Sequence, residues 1–329
     1  MMAHTRIRLI FLFLIAAPLL VMAEDNGEKA RHPFRIGFVR SDLESSVGLS
    51  WYESLKRFLL EQPEIRRTLE NSGYNGIAVL PAEGYRDMLQ RMDVNEFDLV
   101  FCSSVIFVEQ NGDYQPILQA RGDIFDSRGQ GMTLQKGVIV ASRNSLLHRN
   151  NDLTEQDIKE YLSSRPMAFV SPYSAPGYIY PRLAMWRKFE MKEPGDYIFC
   201  GSSEEVVKYV ASGLAEIGAC EYGALEKVID SIPVNIEKEK TLSIVLETPP
   251  APTSPVAIRE RLHPRKSELG RTLKGAVKIF YNNSDQTGVP RMADSRDENF
   301  RNLKEEMSAY ETLIAESAGK YVIPSPGTK

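Results

Sequence analysis

Three short stretches of this chain carry the residue types from which an anion site can be built. They are Phe101-Cys102-Ser103-Ser104, Phe169-Val170-Ser171-Pro172-Tyr173-Ser174-Ala175-Pro176-Gly177, and Phe199-Cys200-Gly201-Ser202-Ser203-Glu204-Glu205. Each begins where an apolar, strand-like run ends and a helical pattern starts. Free N–H groups at a helix start, together with serine hydroxyls, supply convergent donors to an oxyanion without any formal positive charge. Ser202 and Glu205 also have the three-residue spacing of a capping box, so a cap alone accounts for Ser202. Ser174 to Gly177 is more telling, because capping does not demand Ser-Ala-Pro-Gly, and Gly177 admits a close backbone approach. The expected cleft residues are Ser103, Ser104, Ser174, Gly177, Ser202 and Ser203. Among the aromatics near these turns (Trp51, Tyr52, Tyr173, Tyr178, Tyr180), Tyr52 is added as a ligand-facing wall.

Catalysis needs more than this. A nucleophile must have a base beside it, or acids must cluster, and no Ser-His, Cys-His or paired-acid pattern is present. His4, His32, His148 and His263 share no metal-ligand spacing. The sequence therefore predicts a non-catalytic protein with neither metal nor cofactor. Cys102, Cys200 and Cys220 are odd in number and widely spread, and each ends an apolar run; buried thiols are expected, with one bridge plus a free thiol as the alternative.

The elements that would hold these turns follow an α/β rhythm. Strand-like runs at Phe34–Val39, Ile77–Leu80 and Leu99–Cys102 alternate with helical patterns at Trp51–Leu60 and Tyr85–Met92. The rhythm restarts with strands at Val138–Ala141, Met167–Val170, Tyr197–Cys200 and Glu216–Cys220. Helices fall between them at Thr154–Leu162, Pro181–Phe189 and Glu204–Ala211. Such alternation predicts two mostly parallel sheets flanked by helices. Two breaks separate the blocks: Gly122–Lys136, and the proline-rich Thr248–Pro255, which can be neither helix nor central strand. We therefore expect two lobes joined by two hinge crossovers. The first comprises residues 34–122 with 249–329, the second residues 123–248. A helix at Lys266–Tyr281 and a charged segment, Asn302–Ala318, complete the first, the latter read as a surface helix or an extension.

Residues 1–23 read as a signal peptide. Arg6 and Arg8 precede the apolar run Leu9–Leu20, and Val21-Met22-Ala23 places small residues at a cleavage site. The run is short for a membrane span, which needs about 20 residues, and export to the periplasm is expected. Removing it takes away two of the 40 basic residues and none of the 44 acidic ones, leaving a net charge of about −6. That balance argues against nucleic acid or an anionic membrane as partner. An anion site here must work through local dipoles.

In the order of its motifs the chain resembles periplasmic substrate-binding proteins of the phosphate/phosphite/phosphonate ABC-transporter group, the PhnD-like type II periplasmic binding proteins. The resemblance rests on Tyr52 and Leu55; on Tyr85, Leu89, Asn95 and Asp98; and on Ser171 to Gly177 with Pro181. It continues through Gly201, Ser202, Val210, Gly213, Ala215 and Glu216 to the proline-rich return, Pro249 to Arg259. It implies a two-lobed receptor, a monomer, that closes on a small oxyanion and hands it to a membrane permease. A periplasmic subunit that senses its ligand and signals to a sensor kinase is the alternative. Departures from the family pattern are Ala175 and Pro176 in place of hydroxyl residues, Ser203 in place of His, Phe107 in place of a ligand-facing Tyr, and Ser103-Ser104 in place of Gly-Pro. They leave the choice of oxyanion open.

Overall fold

A computed structural model describes residues 31–40, 48–150, 152–231, 242–284 and 289–317. Residues 1–23, expected to be a signal peptide, lie outside this set. In chain order the first half runs β1 (His32–Val39), α1 (Gly48–Glu61), α2 (Pro63–Asn71), β2 (Tyr74–Ala82), α3 (Tyr85–Asp93), β3 (Leu99–Phe101), α4 (Ser104–Glu109) and β4 (Tyr114–Ala120). A crossover holding β5 (Leu134–Gln135) leads to β6 (Gly137–Ser142), α5 (Leu146–Arg149), α6 (Glu155–Ser164), β7 (Met167–Phe169), α7 (Tyr180–Phe189), β8 (Tyr197–Phe199), α8 (Ser203–Ala211), β9 (Ile217–Glu221), α9 (Tyr222–Ser231) and β10 (Leu242–Glu247). The return carries β11 (Ala251–Pro252), β12 (Pro255–Arg259), α10 (Glu268–Asn282), β13 (Met292–Asp294) and α11 (Arg301–Ser317).

The strands form two main sheets, ordered β13-β4-β12-β3-β1-β2 and β10-β6-β9-β7-β8. In each, three strands are parallel: β1 beside β2 and β3, and β7 beside β8 and β9. The remaining strands run antiparallel to their neighbours. The parallel trios are the β-α-β runs that the sequence shows, since parallel neighbours require a helical crossover. The antiparallel members include β12 and β13, brought back to the first sheet from the other side of the hinge. The chain crosses between the sheets at the two expected breaks, and there the passing segments pair with each other, Ala251 with Gln135 and Pro252 with Leu134.

The first sheet is packed by Phe34, Ile36 and Phe38 of β1 against Leu55 and Leu59 of α1 and Leu273 and Val277 of α10, all fully buried. In the second sheet Val138, Val140 and Ala168 pack on Val206, Val207 and Val210 of α8. β4 is less legible in sequence because Pro116 interrupts it. The strand accommodates the proline where its register with β12 shifts between Val256 and Ala257.

α11 departs from its expected grouping. It lays Leu303, Met307, Tyr310 and Leu313 into the core that holds Phe169, Tyr178 and Leu183 of the second sheet's layer, a core that Val105 of the first lobe's α4 also joins. Arg187 of α7 clamps it through two contacts to Glu306, at 3.0 and 2.7 Å. None of Cys102, Cys200 and Cys220 forms a disulfide; Cys102 and Cys220 are buried and Cys200 is half-buried.

Candidate functional site

The carboxyl ends of β3, β7, β8 and β9 converge on one cleft of about 640 Å³. Each serine junction reaches it by a local device. Ser103 is the N-cap of α4, its Oγ accepting from Ile106 N–H at 3.2 Å. Ser202 caps α8 in the same way, accepting from Glu205 N–H at 3.2 Å. Ser203 Oγ accepts from Glu221 N–H at 3.1 Å and so ties α8 to the end of β9. Ser174 opens a π turn, Ala175–Ile179, that runs straight into α7, and its Oγ accepts from Gly177 N–H at 3.0 Å. Single π turns of this kind widen a helix start and recur at functional sites.

A common chemistry follows. The four hydroxyl oxygens each accept a backbone N–H, so each keeps its own proton to donate outward. Ser103, Ser104, Ser174, Ser202 and Ser203 all line the cleft. Ser104 is buried, and its hydroxyl has no protein partner among the described residues.

Two expected residues are placed elsewhere. Gly177 lies beneath the cleft wall, where a Cβ would meet Val170 Cγ2 at 2.3 Å. Its amide is taken by Ser174 and its carbonyl by Val170 N–H. Its function is to let the turn close. Tyr52 stacks on Phe38 with centroids 4.1 Å apart and meets Phe101 edge-on at 5.2 Å. α1 turns it onto the first sheet with Leu55, so it belongs to that core and not to the lining.

The cleft also holds residues that the serine pattern does not reveal. Tyr85 at the start of α3 stacks on Tyr173, 5.5 Å between centroids, joining the two walls. Glu204, Glu205 and Glu221 face it with, among the described residues, one lining lysine, Lys208, whose Nζ sits 2.6 Å from Glu205. Burial is the main cause that pushes the Glu221 carboxyl up to about 7, with Asp123 and Glu204 adding to it. Near neutral pH that group is partly protonated, and a protonated carboxyl is a donor. Glu204 and Glu205 were hard to find in sequence because glutamates on a helix face normally signal solvent. Among the described residues, no group of His, Cys, Asp and Glu could hold a metal ion.

The comparisons now have a geometry to meet. Residues 64–289 match the model of a family described as ABC transporter, phosphonate, periplasmic substrate-binding protein. The chain belongs to this family. Its members are transport receptors and not enzymes; they serve outside the cytoplasm, with a small solute and a membrane permease as partners. The fold is the two-lobed periplasmic-binding-protein fold. It is similar to the binding protein component of an ABC phosphonate transporter from Pseudomonas aeruginosa, with 14% identity over 89% of this chain and 91% of that one and a TM-score of 0.60. It is also similar to PhnD1 from Prochlorococcus marinus in complex with methylphosphonate, with 17% identity, 84% and 98% coverage, and a TM-score of 0.57. XAC2383 from Xanthomonas citri, bound to chloride ion, shares 18% identity over 86% and 99%, with a TM-score of 0.60. A comparison with curated protein sequences returns no match.

Proposed function

We propose that this phosphonate-family receptor captures a small oxyanion of the phosphonate, phosphite or phosphate kind between its lobes and delivers it to an ABC permease. Export through a signal peptide at residues 1–23 and action as a monomer belong to the same reading. The observation that carries it is the meeting of Ser103, Ser104, Ser174, Ser202 and Ser203 in one cleft. Four of these hydroxyls are locked by backbone N–H groups in an orientation that leaves a proton to donate. Preset donors bind an anion without the entropy loss of ordering long cationic side chains.

The acidic lining selects further. With Glu204, Glu205 and Glu221 facing one Lys, a fully ionised dianion meets repulsion that a monoanion, or an anion bound together with a proton on Glu221, avoids. The test is a thermal-shift and calorimetric panel of methylphosphonate, phosphite, phosphate and sulfate on the mature chain. A ligand at 100 times its Kd adds about 2.7 kcal/mol to stability. A hit whose affinity falls about tenfold or more in Ser174→Ala supports the reading. A flat panel, with the protein folded, overturns it.

A further inference from the structure

The two lobes are joined by three chain passes, and one buried side chain touches all of them. Beyond the crossovers at β5 and β11, the chain passes a third time between β13, on the first sheet, and α11, in the core of the second. Gln119, near the end of β4, is fully buried. Its Nε2 donates to Thr133 O of the first crossover at 3.2 Å and to Thr253 O of the second at 3.0 Å. Its Oε1 accepts from Ser295 Oγ at 3.2 Å and from Asn299 Nδ2 at 2.9 Å, both on the third pass. A primary amide has two donor protons and two acceptor lone pairs; here every one is spent, and each on a segment that leads into the other lobe.

The surrounding backbone follows the same plan. Thr253 N–H bonds Thr133 O, Ala120 N–H bonds Ser254 O, and Ser295 N–H bonds Ile117 O. Phe300, just before α11, packs on Phe107 at 4.7 Å and anchors the third pass to the first lobe. A hinge is a few positions that absorb the dihedral change of closure. A group bonded to all three passes limits which changes they can make together.

We propose that Gln119 is the positioning residue of the hinge, coupling the two crossovers to the α11 strap and so setting how far the empty lobes open. It does not line the cleft. Its effect on ligand affinity comes only through the fraction of molecules that are competent to close. The inference rests on the two-lobed capture reading and not on the identity of the ligand.

The test is hydrogen exchange and small-angle scattering on the ligand-free full chain, followed by titration with methylphosphonate. Gln119→Leu keeps the bulk and removes all four bonds. Exchange in segments 121–136 and 248–254 is expected to accelerate at least tenfold while β3 and β9 keep their protection, and the scattering profile to widen. Gln119→Glu keeps the acceptor for Ser295 and Asn299 but sets a carboxylate against the Thr133 and Thr253 carbonyls. It should loosen the crossovers and leave residues 295–300 protected, and it serves should the leucine variant not fold. Unchanged crossover exchange in the folded variants overturns the proposal, and so does equal acceleration everywhere, which marks a merely structural role. Failure of the unaltered protein to bind methylphosphonate or any other oxyanion counts against the proposed function and leaves the exchange result standing.

Discussion

The two walls of the cleft are built unequally. The first lobe offers Tyr85, Ser103, Ser104 and Ser254, uncharged and set on short turns. The second offers the π turn at Ser174, the start of α8 and, among the described residues, the carboxylates and the lysine of the lining, Glu204, Glu205, Glu221 and Lys208. On the proposed reading this is a division of labour: the second wall would hold and discriminate, and the first would close and shield. The Tyr85–Tyr173 stack joins the two walls.

The steepest way to break this picture is at Gly177. Gly177→Val must fit branched carbons where Val170 Cγ2 already stands 2.3 Å from a Cβ position. Overpacking of this kind costs about 1–3 kcal/mol, so urea denaturation should show a clear fall in midpoint, and binding should be lost with the turn. A variant as stable as the parent would mean that the turn is plastic.

Ser174→Ala and Ser103→Ala sharpen the comparison directly. Each removes an N-cap and costs about 1 kcal/mol of stability. If the second wall holds the ligand, calorimetry will show affinity for the best oxyanion falling about tenfold or more for Ser174→Ala but only about threefold for Ser103→Ala. Equal losses would erase the asymmetry.

The next effect is one of pH. Glu221, raised to about 7 mainly by burial, is expected on the proposed reading to favour an anion when protonated. Affinity should fall by up to about tenfold per pH unit above 7 if one proton is taken up with the ligand, and Glu221→Gln should flatten the profile. Stability carries the same sign. An acid whose folded pKa lies above its unfolded value of about 4.3 contributes stability that is present below that value and lost as pH rises through about 7. Glu109, also pushed to about 7 by burial and by Glu311, adds to this fall. Melting temperatures that rise between pH 5 and 7.5 would contradict both assignments.

The smallest effect is expected at Lys208. Its pair with Glu205 is exposed on both sides, and such pairs contribute about 0–1 kcal/mol. Lys208→Ala should leave stability nearly unchanged and alter anion affinity about twofold, mostly at low salt.

Where the sequence was readable, the reason was periodicity. β1, β6 and α8 announce themselves through β-branched runs and helical spacing, and the crossovers through glycine and proline. β4 was not readable, because Pro116 forbids the usual pattern and only the shifted register beside β12 makes room for it. Tyr52 and Ser103 show the same limit at the site. Tyr52 stands early in α1 and Ser103 just past β3; helix geometry turns Tyr52 onto the first sheet, while the N-cap position leaves Ser103 in the cleft lining.

What the chain determined alone is local: the α/β rhythm, the three serine junctions, the two breaks and the absence of any nucleophile–base or metal pattern. Their convergence in one cleft was decided only by tertiary structure. So were the glutamates that face the cleft, the return of α11 onto the second lobe, and the meeting of three passes at Gln119. Propensities and caps act over a few residues, whereas burial, desolvation and long-range hydrogen bonds depend on which distant segments share a wall. Gln119 and Thr253 lie 134 positions apart in the chain and 3.0 Å apart in the fold, a distance that no local pattern encodes.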